Sequence, residues 1–414
     1  MNKTLIVIGG GAAGMMASIC ASRMGAAVTL LEPNERLGKK VNITGKGRCN
    51  VTNDSSSDEL LAHVPQNGRF LYSAFSRFDG RDTMAFFEAL GVPLKVERGK
   101  RVFPVSDRSF DITAALEREL KRLKVRWVRD RATALCIEDG RIAGVIGERG
   151  TYTASAVIVA TGGVSYPATG STGDGYRFAE SAGHTVIAPR GSLVPVECDD
   201  PCCAQMQGLS LKNVTLTVKN QKNKVIYSEL GEMLFTHFGV SGPLVLSASA
   251  HMRDFEKNTY RMFIDLKSAL DEQKLDARLL RDFEERANQN FGTVLGGLVN
   301  KSMIPVILDK TGIDGETKAH SVTKEQRRTL LQTLKYFELP ASRLRPVAEA
   351  IITSGGIKVG EIDPHTMSSK KVEGLYFAGE VLDVDAYTGG FNLQIAWATG
   401  KAAGEAAAEK LQSI

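Results

Sequence analysis

Two kinds of hydrophobic pattern alternate along the chain. Thr4–Ile8 (TLIVI) is a compact β-branched run that breaks into glycines and then into alanine-rich AAGMMASICA, and a second apolar run, AAVTLL, ends at Glu32. Continuous short runs of this kind predict buried parallel strands, with a crossover helix between them. RATALCIEDGRIAGVIGERGTYT, with Asp139-Gly140 at its turn, predicts a small β-meander that leads into a buried strand from Ala156 to Ala160. From about 191 to 267 the apolar runs shorten to NVTLTV and KVIYSE around the polar KNQKN, predicting a small antiparallel barrel or sandwich. From about 268 to 346, ALDEQKLDARLLRDFEERANQ and TKEQRRTLLQTLKYFEL repeat apolar residues every three or four positions and predict helices, with Pro340 and Pro346 on the way out. Gly374–Ala378 then reads as another short strand, and Gly389-Gly390 precede a helix starting near Asn392. The expected fold class is α/β, with one domain over 1–190 plus 347–414, a β-barrel domain over 191–267 and a helical insertion over 268–346. No internal repeat or low-complexity tail interrupts this order.

The glycines give the first unit its chemistry. Gly9-x-Gly11-x-x-Gly14 follows a strand and opens a helix, as in a dinucleotide-binding βαβ unit. In that pattern Gly9 allows the tight turn, Gly11 lets backbone approach a pyrophosphate and Gly14 packs helix on strand, with Ala12 and Ala13 in the turn that faces the phosphates. Glu32, about 20 residues further on, stands where a carboxylate takes a ribose hydroxyl pair. Ala160-Thr161-Gly162-Gly163 leaves the sheet as in flavoproteins with two dinucleotide folds, and the late Gly379-Glu380 followed by a glycine-led helix resembles the glutathione-reductase superfamily. That resemblance implies a Rossmann-like FAD-binding domain, with Glu380 at the ribityl and phosphate end and the late helix aimed at the flavin pyrimidine. It selects FAD over a resident NAD. Gly170-x-x-Gly173-x-Gly175 has the wrong spacing for a second fingerprint and reads as a loop, so NAD(P)H is expected only as a transient reductant.

Composition narrows the setting. The chain has 414 residues, 43% hydrophobic and 24% charged, which is ordinary for a folded globular protein. The glycines interrupt the N-terminal apolar run where a secretory signal would be continuous, and no run approaches the ~20 apolar residues of a membrane span, so a cytoplasmic protein is expected. Six cysteines form neither a disulfide framework nor a CxxC metal pair, and the CxxxxC of flavin disulfide reductases is missing. No metal is expected, and no signature fixes an oligomeric state.

LGKKVNITGKGRCNVTN over 37–53, together with VFPVSDRSFD, ATGGVSYPATGSTGDGY, GEMLFTHFGVSGP and TSGGI, is similar across nearly the whole chain to one bacterial flavoprotein family. Its members are described as BaiN-like, as aminoacetone oxidase and as the flavin-dependent dihydrouridine synthase of large-subunit ribosomal RNA. The resemblance implies that Gly45, Gly47, Arg48, Cys49 and Asn50 form a loop beside the pyrophosphate and isoalloxazine. It also implies that Gly390, Asn392, Leu393 and Gln394 reach the flavin pyrimidine. Lys39, Lys40 and Arg48 can neutralise phosphate charge. Three side chains are candidates for a proton donor. Cys49 is either an acid beside the flavin or a small packing residue; His237, between Phe235 and Phe238, is a group tunable near neutral pH; Tyr387, with Asp385, lies just before Gly389.

The formal net charge is +5 and says little by itself, but its distribution is uneven. Lys95–Arg131 carries 12 Lys and Arg against 6 Asp and Glu, Lys318–Arg345 carries 7 against 2, and Lys212, Lys219, Lys222 and Lys224 form a run without acids. These clusters are either solvated faces or grips for the phosphates of a folded RNA. Three functions follow: an FAD-dependent reductase of a uridine in 23S ribosomal RNA, an oxidase or reductase of a small amine or bile-acid-like metabolite, or a flavin-containing RNA-binding protein without turnover.

Overall fold

A computed structural model describes residues 4–253 and 255–413, which divide into two compact units, one built from 4–192 with 347–413 and the other from 193–346.

The first unit is organised by a five-stranded parallel sheet in the order Leu375–Phe377, Ala156–Val159, Thr4–Ile8, Ala27–Leu31, Arg126–Val128. The register puts Val7 opposite Leu30 on one side and Ile158 on the other. The central strands are mainly apolar because both faces of the sheet are covered there, whereas the edge strand Arg126–Val128 is partly exposed. Helix Ala12–Arg23 lies against the 22-residue helix Phe391–Gln412, and their backbones nearly touch. A Cβ at Gly400 would stand 2.5 Å from the Ala13 carbonyl oxygen, and one at Gly404 would stand 2.4 Å from that of Ala17. The expected meander is present as Ala132–Glu138, Arg141–Gly147 and Thr151–Thr153, with Asp139 and Gly140 both at positive φ in its first turn. Val186–Ser192 and Ile352–Ile357 pair as an antiparallel ribbon that carries the chain out of this unit and back.

The second unit holds a seven-stranded antiparallel sheet that begins with Phe337–Ala341 and ends with Arg343–Leu344. Its edge strands are successive in sequence, with Ser342 between them. Helices Glu272–Glu285, Ile304–Thr311 and Lys324–Lys335 contribute Leu279, Ile307 and Leu330 to the same core as Leu216 and Ile264 of the sheet. Among the described residues no helix is long and apolar enough to cross a membrane.

Candidate cofactor cleft

The C-terminal edge of the parallel sheet opens into a cleft lined by Gly9, Gly11, Ala12 and Ala13 after the first strand, by Glu32 after the second and by Thr161 and Gly162 after the third. Gly379 and Glu380 line it after the last strand, and Asn392 and Leu393 from the final helix. Four strand ends and two helix starts, far apart in sequence, therefore meet as expected. Both helices begin at a glycine with no side-chain cap and no acid in the first turn. Helices starting after Ser56, Asp79, Asp271 and Thr323 are capped by those side chains. Two uncapped starts at one cleft leave backbone N–H groups for an anionic or carbonyl-rich ligand.

The fingerprint glycines divide by what they touch. A Cβ at Gly9 would lie 2.5 Å from the Ala160 oxygen, and one at Gly14 would lie 1.8 Å from the Gly9 oxygen, so both are required by the fold. A Cβ at Gly11 would meet nothing within 4 Å, and its φ of −81° suits any residue. Neither packing nor conformation explains a glycine there, while a ligand lying on the backbone does.

Glu32 is held in place from both sides. Gly10 N donates to its Oε2 at 2.7 Å, and Asn34 donates to Oε1 through N at 2.9 Å and Nδ2 at 2.7 Å. Lys40 Nζ donates to Glu380 Oε2 and to Ser165 Oγ, both at 2.6 Å, while Glu380 Oε1 accepts from Ser165 Oγ and Thr353 N at 2.9 Å each. The buried Thr161 hydroxyl has no hydrogen-bond partner among the described residues. Val41, Ile352 and Val384 add apolar surface to the lining. Free donors, a ribose-type acid, an open glycine and apolar walls fit FAD.

Several expected contacts are absent. Gln394 is fully buried; its Oε1 accepts from Thr52 Oγ1 at 2.6 Å and Thr83 Oγ1 at 2.7 Å, and its Nε2 donates to the Phe78 carbonyl at 2.8 Å, so it braces the helix start instead of lining the cleft. Arg48 turns away from phosphate to pair with Glu97 and Asp107, its guanidinium 4.1 Å from the Phe103 ring centroid. Gly45 and Gly47 also lie outside the lining, whereas Thr44 of the same loop is in it. Asn50, with its amide oriented to donate to the Val102 and Thr52 carbonyls, accepts from Gly390 N at 3.0 Å and thus ties this loop to the final helix.

The candidate acids separate sharply. Cys49 is 0% exposed, and burial pushes its thiol up to about 12, the state of an inert packing residue. His237 is exposed in the second unit, edge-on to Phe238 at 5.0 Å. Tyr387 is half-buried just before the final helix, and its N donates to the His63 carbonyl at 3.1 Å. The sequence gives no sign of His63, yet its ring stacks on Phe391, the first residue of that helix, at 4.2 Å and 12°. Its Nδ1 lies 2.7 Å from the Glu59 carbonyl, an acceptor only, which fixes the proton on Nδ1. Among the described residues, no group of three or more His, Cys, Asp or Glu could hold a metal ion.

The family model of the HI0933-like protein Rossmann domain matches residues 3–406. A 3-dehydro-bile acid delta(4,6)-reductase of Clostridium scindens is 32% identical, the alignment covering 99% of this chain and all of that protein. A ribosomal RNA dihydrouridine synthase of Escherichia coli is 30% identical over 95% of each chain. Among solved structures, a 3-ketosteroid-delta4-(5alpha)-dehydrogenase from Rhodococcus jostii superposes with a TM-score of 0.54 at 16% identity, covering 98% of this chain and 96% of that one, a likeness of fold. With the cleft and the full-length match in agreement, this chain belongs to the HI0933-like Rossmann family and is an FAD-dependent oxidoreductase.

Proposed function

We propose that the chain reduces a carbon–carbon double bond conjugated to a carbonyl, that its substrate is a uridine of 23S ribosomal RNA, and that NAD(P)H visits transiently as reductant. The two named relatives support the bond class: a 3-oxo steroid unsaturated at positions 4 and 6 and the uracil ring share a double bond polarised by a neighbouring carbonyl. The observation that carries the cofactor half is Gly11, open to the cleft with no structural reason to be glycine.

In this reading residues 1–190 and 347–414 would hold the cofactor, 191–267 form most of an inserted barrel whose sheet is completed by Phe337–Ala341 and Arg343–Leu344, and the rest of 268–346 is a helical insertion, in a cytoplasmic protein. Bound FAD supplies hydride chemistry. Ala12, Ala13 and Lys40 would hold its phosphates, Glu32 its ribose, and Asn392 and Leu393 at the final helix start its pyrimidine end. The protein must add a proton to the carbon next to the one that receives hydride. Tyr387 meets that need better than Cys49, because it is partly exposed beside the final helix start while the thiol is sealed. His63 stands edge-on to the Tyr387 ring, their centroids 6.1 Å apart, in the same cluster.

Mass spectrometry of ribosomal RNA from a deletion strain tests the substrate. One nucleoside should be two hydrogens lighter than in the parent, and complementation should restore it. An unchanged map would favour the second reading, a small enone of bile-acid type, supported by the 32% identity over all of the bile-acid enzyme.

A further inference from the structure

Sequence alone leaves three basic clusters equivalent, and the structure does not. In the helical cluster, Arg327 Nε lies 2.8 Å from Asp276, Lys335 Nζ 2.6 Å from Asp265, and Arg343 and Arg345 stand 2.6 and 3.0 Å from Glu197. Arg327, within the Lys318–Arg345 cluster, braces one helix against another. In the first unit, Lys95, Lys100, Arg122, Arg129 and Arg131 are each within 2.9 Å of a carboxylate. These five of the twelve cations in that stretch are balanced within the protein, while the other seven, from Arg98 to Arg126, lie at exposed positions scattered over several elements.

The hairpin joining strands Ser210–Asn220 and Val225–Thr236 differs. Lys219, Lys222 and Lys224 have no ion-pair carboxylate among the described residues, and Lys222 and Lys224 are exposed. Hydrogen bonds brace the turn that carries them. Asn220 N donates to the Lys224 carbonyl at 3.0 Å, and Asn220 Oδ1 accepts from the N–H groups of Lys222 and Lys224 at 3.0 and 3.1 Å. The neighbouring strand Tyr260–Asp265 sets Arg261 opposite Lys219 and Phe263 opposite Thr217. The half-buried Phe263 ring lies 4.8 Å from Lys219 Nζ and 5.4 Å from the Arg261 guanidinium carbon. Glu338, 3.3 Å from Arg261, is the carboxylate paired with this face.

We infer that this hairpin tip is a docking surface for the phosphate backbone of structured RNA, an assignment that rests on the ribosomal reading above. Fixed unpaired cations lower the ordering cost of gripping phosphates, and binding is driven by counterion release. An anionic membrane would demand apolar residues to insert, whereas Lys219–Lys224 (KNQKNK) contains none.

The test compares two charge-matched variants of the FAD-loaded full chain, Lys222→Glu/Lys224→Glu at the tip and Lys324→Glu/Arg328→Glu on exposed positions of the helical cluster. Each is titrated with protein-free large-subunit ribosomal RNA across a salt series, with flavin absorbance and melting temperature as fold controls. The tip variant should bind at least about tenfold more weakly at low salt, and its log–log salt slope should fall by about 1.4 to 1.8, the contribution of two phosphate contacts. The helical variant should stay within about threefold of wild type. Equal loss in both variants would reduce the effect to net charge and overturn the surface, as would an unaffected tip variant. Wild type that binds no RNA while retaining FAD would overturn the ribosomal reading itself, and preference for anionic vesicles over RNA would overturn the choice of partner.

Discussion

Gly11 and Gly14 sit three residues apart in one fingerprint, yet the structure assigns them opposite failures. Gly11→Val puts a branched side chain into space that is open in the protein and adopts a φ and ψ that valine tolerates. The cofactor-free fold should therefore keep its stability to within about 1 kcal/mol, a shift of roughly 2–4 °C. The added methyl groups occupy the path of the pyrophosphate, and overpacking of that kind costs about 1–3 kcal/mol, which weakens FAD about 5- to 150-fold. Gly14→Ala does the reverse, since its Cβ would lie 1.8 Å from the Gly9 oxygen and helix must separate from strand. Loss of more than about 3 kcal/mol is expected before any ligand is added. The assay is a thermal melt of cofactor-stripped protein, followed by FAD titration read by quenching of flavin fluorescence. Wild-type FAD affinity in Gly11→Val would refute the location of the pyrophosphate. A cofactor-free melt as low as that of Gly14→Ala would refute the claim that position 11 is kept for a ligand.

Tyr387→Phe should retain FAD and its reduction by nicotinamide but slow substrate turnover at least about a hundredfold, while Cys49→Ala stays within about threefold; the opposite ranking in single-turnover assays would return the proton to the thiol. Thiol chemistry gives an independent check, because a buried thiol pushed up to about 12 should resist iodoacetamide at pH 8 in native protein, and mass spectrometry finding rapid Cys49 labelling would reject the packing role. Arg122, then Arg23, hold the Glu119 carboxyl down to about 2 from an ordinary 4.5, against the opposing effect of burial. Its folded value lies below the unfolded one, so the stabilisation is complete above about pH 4.5 and disappears as pH falls toward 2. Glu119→Gln should accordingly lower stability by about 1–2 kcal/mol at pH 7 and converge with wild type near pH 2 in denaturant melts, a pH-independent difference counting against the pairing.

What was legible in the sequence was what neighbouring residues decide. Gly9, Gly11, Gly14 and Glu32 lie within one βαβ unit, where strand, turn and helix follow from local pattern, and all but the packing glycine Gly14 line the cleft. Asp139-Gly140 fixed its hairpin for the same reason. Gln394 and Arg48 were misplaced because their partners come from Phe78, Thr83, Glu97 and Asp107, on segments whose approach no local pattern announces. His63 was invisible for a related reason: its stacking partner Phe391 arrives from a helix more than three hundred positions later. The charge clusters show a third limit, since counting cations along the chain ignores which carboxylates fold onto them.

The strand order has a consequence for biosynthesis. Ala156–Val159 stands between Thr4–Ile8 and Leu375–Phe377, so one of its two hydrogen-bonding edges stays bare while everything between residues 160 and 374 is being translated. The same late segment delivers the helix that covers Ala12–Arg23 through Gly400 and Gly404. A nascent chain halted within the second unit would thus expose a sticky β edge and an uncovered helix at once, the features that recruit chaperones or seed aggregates. Cofactor loading must wait for the same moment. Yellow colour in a pulse-labelled culture should therefore appear only with the finished polypeptide, making the flavin a reporter of completed synthesis as well as of chemistry.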